Sequence, residues 1–217
     1  MNIFQEYYNQ DGIDYGINSS RKRKILELIG QESGRKILDL GCCSGYLGEE
    51  IKKNNNYVVG IDISSQAVSR ASAVLDQALV LDIQQDILPF ADKYFDVVVL
   101  SEVIEHLFFP EKTLAEARRV LKDDGFIVIT TPNFLFAGNR IKMLLGKFNY
   151  TNSGFYDRAH IHFYTRKSLI EFLNKAGFDV AAENHVPYYR FPEVLANWWP
   201  GFCAFQLIVK AKNNQIH

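Results

Sequence analysis

The stretch Lys36–Gly48, KILDLGCCSGYLG, constrains this chain more than any other. A short apolar run, Ile37, Leu38 and Leu40, is interrupted by Asp39 and ends at Gly41. Gly41 and Gly45 bracket Cys42, Cys43 and Ser44, and an amphipathic segment starts at Tyr46. A buried strand passing through a tight glycine loop into a helix start makes a place where backbone N–H groups and the positive helix end face a ligand. A dinucleotide fingerprint, G-x-G-x-x-G, would need glycine where this chain has Cys43 and Tyr46, so pyrophosphate binding is disfavoured. Asp39, just ahead of the loop, repels phosphate and suits a ligand carrying positive charge.

Alternating strand and helix patterns follow on both sides of this stretch. Ser19 or Ser20 is placed to cap a helix with Ile25, Leu26 and Ile29 on one stripe and Gly30 as its stop. Arg21, Lys22, Arg23 and Lys24 open it and read as a solvated basic face. Residues 1–18, with Phe4, Tyr7, Tyr8 and Tyr15, read as an N-terminal flap. After the glycine loop, Leu47 and Ile51 share a helix face. Tyr57–Asp62 is a second buried strand, Ser65–Ala71 a helix, and Leu79–Asp82 a third short strand. Tyr94–Leu100 is an unbroken apolar run of the kind covered on both faces in a parallel sheet. Pro110 opens a helix whose inward residues are Leu114, Ala117, Val120 and Leu121, and Phe126–Thr130 is a fifth strand. Residues 133–165 interrupt the alternation and contain a cationic amphipathic piece, Asn139–Phe148. Thr165 then caps a helix with Leu169, Phe172 and Leu173. Two last strands, Phe178–Asn184 and Phe202–Lys210, are joined by the aromatic loop YYRFPEVLANWWPG.

A chain of 217 residues suffices for one α/β domain with a full core. Its formal net charge is −1, which argues against a sequence-independent grip on nucleic acid. Three cysteines, two of them adjacent, suggest no disulfide framework and point to a reducing, cytoplasmic setting. The N-terminus lacks the pattern of a signal peptide, and no apolar run approaches a membrane span.

The glycine loop resembles motif I of the class I S-adenosylmethionine-dependent methyltransferases, E/D-x-G-x-G-x-G, through Asp39, Gly41 and Gly45, with Cys43 in place of the middle glycine. The resemblance runs from about Lys36 to the C-terminus and is densest over 36–132. It implies a Rossmann-like, seven-stranded, mostly parallel sheet with helices on both faces and a reversed C-terminal strand pair. One domain then spans 1–217, with the flap and helix over 1–30 and an acceptor-side insert over 133–165. The implied cofactor is S-adenosyl-L-methionine, leaving S-adenosyl-L-homocysteine as product. Asp62 ends the second strand 21 positions after Gly41 and would take the ribose hydroxyls, with Ile63 beside it; its other reading is a cap for the next helix. D-I-x-x-x-x-L-P-F matches Asp82–Phe90, so Asp82 and Ile83 would hold the adenine, with Asp86 as competitor. Arg21 would meet the cofactor's carboxylate. Ser101, at the end of the fourth strand, completes the set.

Methyl transfer to a hydroxyl needs alignment and a base for the acceptor proton. His106, His160 and His162 lie past the strand ends and are the candidates; His185 and His217 are placed away from the site. T-P-N and D-R-x-H-x-x-F-x-T elements match Thr131–Asn133 and Asp157, Arg158, His160, Phe163 and Thr165. They resemble a subgroup of bacterial methyltransferases acting on surface glycans and other small acceptors. His160 and His106 are therefore the expected catalytic residues, with oxygen ahead of nitrogen as accepting atom. Asp157, Arg158 and His160 can equally form a polar brace. Glu102, Glu105, His106 and His160 also resemble the metal set of small-RNA 3′-terminal 2′-O-methyltransferases. V-I-E-H-L is widespread in metal-free relatives, however, and no metal is expected. The aromatic residues Phe134, Phe136, Tyr188, Tyr189, Trp198 and Trp199 read as core and lid packing, or else as an apolar pocket for a lipid-linked acceptor reached over the Asn139–Phe148 helix. A cofactor-binding partner without transferase activity is the rival from another class.

Overall fold

A computed structural model describes residues 19–151, 154–188 and 192–214. The expected N-terminal flap, Tyr189 and His217 lie outside the described residues. Helix α1 spans Ser19–Ile29, followed by β1 Lys36–Leu40, α2 Tyr46–Lys52, β2 Tyr57–Asp62, α3 Ser65–Ala71 and β3 Gln77–Val80. Then come β4 Phe95–Ser101, a short 3-10 turn at Ile104–His106, α4 Pro110–Val120 and β5 Leu121–Pro132. The second half holds α5 Ala137–Leu144, α6 Arg166–Lys175, β6 Phe178–Pro187, α7 Glu193–Trp198, α8 Pro200–Cys203 and β7 Ala204–Asn213.

The seven strands form one sheet in the order β3-β2-β1-β4-β5-β7-β6. β1 to β5 pair in parallel, while β7 is antiparallel to both β5 and β6. This is the expected seven-stranded, Rossmann-like sheet with its reversal at the C-terminus. Strand side chains alternate between two apolar layers, which is why the strand sequences are apolar throughout. Leu38, Leu40, Val98 and Leu100 pack with Leu114 and Ala117 of α4 and Leu169 and Leu173 of α6. Ile37, Val58, Val97 and Val99 pack with Ile25 and Ile29 of α1, Ile51 of α2 and Ala71 of α3. Strand order reverses beside β1, whose neighbours β2 and β4 are reached in opposite directions, and ligands of open α/β sheets bind at the carboxyl ends there.

Several boundaries depart from the sequence reading, each for a local reason. β3 ends two residues early because its ladder stops where Asp62 pairs with Val80, and this leaves Asp82 in a loop. Leu121 is not the last turn of α4. It pairs with Phe95 and opens β5, and a register shift then carries the strand past Asp124 and Gly125. The insert helix is Ala137–Leu144 rather than Asn139–Phe148; Gly146, at φ 66°, closes it, and its N–H donates to Met143 O at 2.9 Å. The aromatic loop holds two short helices, α7 and α8, with Pro192 and Pro200 at their starts. Thr165 caps α6 as expected, through a reciprocal box with Ser168.

The basic face of α1 is solvated only in part: Arg23 is exposed, whereas Lys24 is not. Lys24 is 1% exposed, and its ammonium donates to Asn184 Oδ1 and pairs with Glu193. Lys22 pairs with Glu50 and Arg23 with Glu27. Four cations at a helix start conflict with the dipole, and carboxylates from distant elements offset the conflict.

Gly60, in the middle of β2, has no room for a side chain. A Cβ there would sit 2.5 Å from Leu75 Cδ1 and 2.7 Å from Cys42 Sγ. Gly60→Ala is expected to lower the unfolding free energy by about 1–3 kcal/mol, as overpacking of a tight core does. Urea denaturation reads this, and an unchanged midpoint would contradict the packing described.

Candidate functional site

The carboxyl ends of β1, β2 and β4 open into a cavity of about 440 Å³. Gly41, at φ 76°, turns the chain out of β1, and its N–H donates to Ile61 O at 2.8 Å. Any side chain at 41 would strike Val103 Cγ2, 2.5 Å from the Cβ position. Cys43 adopts a left-handed φ of 48°, a conformation that favours glycine, and its N–H donates to Asp62 Oδ2 at 2.9 Å. The backbone turn that the missing glycine would give is therefore kept at Cys43. Gly45 stands behind the cavity rather than on its wall. Its Cβ would fall 2.9 Å from Val74 Cγ2 and 3.3 Å from Ala71 Cα, so it serves the close packing of α2 on α3.

Every other expected cofactor residue lines this one cavity: Arg21, Asp39, Gly41, Cys43, Asp62, Ile63, Asp82, Ile83 and Ser101. Asp62 does not cap α3. That role falls to Ser64, whose Oγ accepts from Ala67 N–H, while Asp62 accepts from Ser64 N–H at 2.9 Å. Backbone N–H groups of Cys43, Ser64 and Ile63 donate to the Asp62 carboxylate, whose two oxygens can accept more than these. Asp82 Oδ1 accepts from Gln84 N–H, and Oδ2 accepts from Gln85 Nε2 at 2.7 Å. Asp86 does not reach the cavity wall and instead accepts from Asp82 N–H at 3.1 Å.

Two buried polar atoms on the wall have no hydrogen-bond partner among the described residues: Arg21 Nε, a donor, and Asp39 Oδ2, an acceptor. One wants an anion and the other a cation. A zwitterionic amino-acid end, with its carboxylate and ammonium, offers both. Burial, and then the charge of Asp62, push the Asp39 carboxyl up to about 7. Arg21 Nη1 pairs with Glu102 Oε2 at 3.2 Å. Glu102 sits at φ 58° and also accepts from Thr130 Oγ1 at 2.8 Å and Gln206 Nε2 at 2.9 Å. Sequence reading missed Gln206 and this network. The available signal was a glutamine in the otherwise apolar stretch Phe205–Val209.

His106 and His160 meet on the cavity wall, their rings edge-to-face with centroids 4.7 Å apart. His106 Nδ1 lies 3.0 Å from Ala159 O and His160 Nδ1 3.1 Å from Phe155 O. A carbonyl only accepts, so both Nδ1 atoms carry the proton and both Nε2 atoms the lone pair. Burial, and then His160, push His106 down to about 4, so it is neutral at physiological pH. His162 does not line the cavity. His185 lies on β6 beside Glu183, away from it. Glu105 is buried behind the histidines, neither carboxylate oxygen has a partner among the described residues, and burial holds its carboxyl well above the usual range. Asp157 Oδ1 accepts from Ala159 N–H at 2.9 Å, which braces the turn carrying His160. Arg158, the third member of the expected brace, is exposed, so the bracing bond is that of Asp157.

A mostly parallel open sheet carries an acidic glycine loop at its switch point. Beside it lies a cavity with one buried donor and one buried acceptor unpaired among the described residues, a layout suited to a nucleoside cofactor with an amino-acid end. Residues 15–183 match the family described as "Methyltransferase domain". A ubiquinone biosynthesis O-methyltransferase of Pasteurella multocida is 32% identical over 131 residues, 54% of this chain and 54% of the relative. Another, from Nitrosococcus oceani, is 31% identical over 158 residues, 67% of each. The chain spans about half the length of most of the curated relatives it matches. The fold is shared with a chain from the complex between the Haloferax volcanii Trm112 methyltransferase activator and a methyltransferase, with a TM-score of 0.69 at 20% identity, covering 96% of this chain and 97% of that one. The protein belongs to the class I S-adenosylmethionine-dependent methyltransferases, and S-adenosylmethionine is its cofactor.

Ionised Asp39 favours a cationic ligand, and Asp39 is protonated below about pH 7. Affinity for S-adenosylmethionine is therefore expected to rise by up to about tenfold between roughly pH 6 and pH 8. Asp39→Asn should flatten that rise. Calorimetric titration at the two pH values measures it, and a flat wild-type profile would contradict the assignment.

Proposed function

We propose that this protein transfers the methyl group of S-adenosylmethionine to a hydroxyl oxygen of a small-molecule or glycan-type acceptor, with His160 as general base. The observation that carries this reading is the Nδ1–H bond of His160 to Phe155 O at 3.1 Å, with both residues lining the cavity. It leaves the lone pair on Nε2, as removal of a hydroxyl proton requires. His106 packs on the ring and, being neutral, adds no charge that would oppose protonation of His160. The bound cofactor supplies an electrophilic methyl group on a sulfonium. The chain's own part is to hold the acceptor oxygen in line and to take its proton, and Phe155 and Phe205 give that side of the cavity an apolar lining that limits water. The relatives named as O-methyltransferases support oxygen as the accepting atom. A glycan or lipid-linked acceptor is the finer form of the proposal, and the T-P-N and D-R-x-H elements support it.

His160→Asn should keep cofactor affinity while lowering turnover by about 10²-fold or more, the contribution of a positioned base. Unchanged turnover at saturating acceptor would remove His160 from catalysis. A protein that binds adenosylhomocysteine yet methylates none of a broad panel of hydroxyl acceptors would favour the non-catalytic partner reading.

A second reading has one observation behind it. Donor atoms of Glu105, His106 and His160 lie within 4.8 Å of one another, which is close enough for a divalent cation after a small contraction. Glu102 does not join them, because Arg21, Thr130 and Gln206 engage its carboxylate. Full activity after exhaustive chelation is expected from the base mechanism. Loss restored by a divalent ion would favour the metal.

A further inference from the structure

We propose that the outer face of α5 and the adjoining α7–α8 corner form a docking surface for an anionic lipid bilayer, which sets the acceptor side of the cavity against the membrane. The inference rests on the proposed transferase reading for what the membrane would deliver, namely a lipid-borne acceptor. The docking itself stands on separate residues.

α5 is held from one side only. Asn139, buried on its inner face, donates from Nδ2 to Phe134 O at 3.0 Å and accepts from Tyr156 O–H at 3.0 Å. The opposite face carries Ile141, Leu144 and Leu145, at helical spacing and all exposed, with Leu144 86% exposed. Single exposed leucines are ordinary, but a fixed stripe of them is not. Arg140 joins this stripe to the next element. Its guanidinium lies 5.7 Å from the centre of the Phe202 ring and donates to Gly201 O at 3.5 Å. Phe202 stacks on Trp199 at 4.9 Å, and Trp198 beside it is 80% exposed. Two tryptophans and a leucine stripe therefore occupy one side of the molecule.

Charge decides the occupant. Ala137–Thr151 contains Arg140, Lys142 and Lys147 and no acidic residue, in a chain whose net charge is −1. Glu193, at the start of α7, is engaged by Lys24 and Arg23. Cations around an apolar stripe, with tryptophans at the rim, match an anionic bilayer surface: lysine and arginine meet headgroups while leucine and tryptophan enter the interface. None of the helices among the described residues is long and apolar enough to cross a membrane, so the mode is lying on the surface. The acceptor side lies one layer below. Tyr156, bonded to Asn139, packs against Phe155, which lines the cavity with His160.

Co-sedimentation of the full chain with phosphatidylcholine vesicles, with and without phosphatidylglycerol, tests this. Binding is expected with the anionic vesicles, about tenfold weaker with the neutral ones and weakened by salt. Leu144→Glu and Trp198→Ser should each reduce it, with adenosylhomocysteine affinity unchanged as the control for folding. No binding of the folded protein to anionic vesicles would overturn the proposal, as would binding that neither variant weakens. Self-association that Leu144→Glu abolishes, without vesicle binding, would assign the face to a second copy of the chain and also overturn it. No docking of the unmutated protein, with its transfer to a water-soluble acceptor intact, sinks this inference alone. Vesicle binding by a protein that transfers no methyl group sinks the transferase reading alone.

Discussion

The hydrogen bond from Cys43 N–H to Asp62 Oδ2, 2.9 Å long, is the contact on which the site depends. It ties the loop after β1 to the end of β2 across the carboxyl edge of the sheet. It fixes Cys43 in a left-handed conformation that an L-residue adopts at a cost of about 1 kcal/mol. The same carboxylate accepts from Ser64 N–H, so the start of α3 is set by the same group. Three elements converge on one side chain, and the cavity takes its shape from that convergence. A neutral residue at 62 would lose the charge that strengthens both bonds.

The cavity wall holds more carboxylates than arginines, five against Arg21 and Arg70. Asp39, Asp62, Asp82, Glu102 and Asp157 line it with Arg21 and Arg70, and burial raises both Asp39 and Asp62. Buried carboxylates placed this close destabilise one another unless a cation arrives. The arrangement is therefore adapted to a cationic, hydroxyl-rich ligand, and it explains in physical terms why the glycine spacing that suits pyrophosphate is absent. Other lining residues are different in kind: the aromatic rings of Phe155 and Phe205, and two histidines tautomerically set by carbonyls, with Asp157 beside them. In the proposed reading the carboxylates serve the cofactor and the aromatic and histidine residues serve the acceptor.

Most of the charged half was legible in the sequence, because each of its groups is placed by a strand end. Asp39, Asp62 and Ser101 follow from where buried apolar runs stop, and Asp82 lies just past such a stop. Ribose and adenine contacts at those positions remain proposals. The Arg21–Glu102–Gln206 network was not legible, since its members come from α1, the loop after β4 and β7, and only the sheet order brings them together. The burial of Lys24 in the basic start of α1 was not legible for the same reason: its partners Glu193 and Asn184 are 169 and 160 residues away. Helices α7 and α8 were hidden by their aromatic composition, which resembles a loop, although Pro192 and Pro200 mark their starts. Pairing of His106 with His160 could be suspected from position past the strand ends, but their tautomers depend on carbonyls that only coordinates supply.

The most direct test is calorimetric titration of adenosylhomocysteine into the purified protein and into Asp62→Ala, with NADH as a second ligand. The account predicts binding of adenosylhomocysteine to the wild type, its loss or severe weakening in a folded Asp62→Ala variant, and no binding of NADH. Equal affinity of both proteins for adenosylhomocysteine, or binding of NADH in its place, would contradict it.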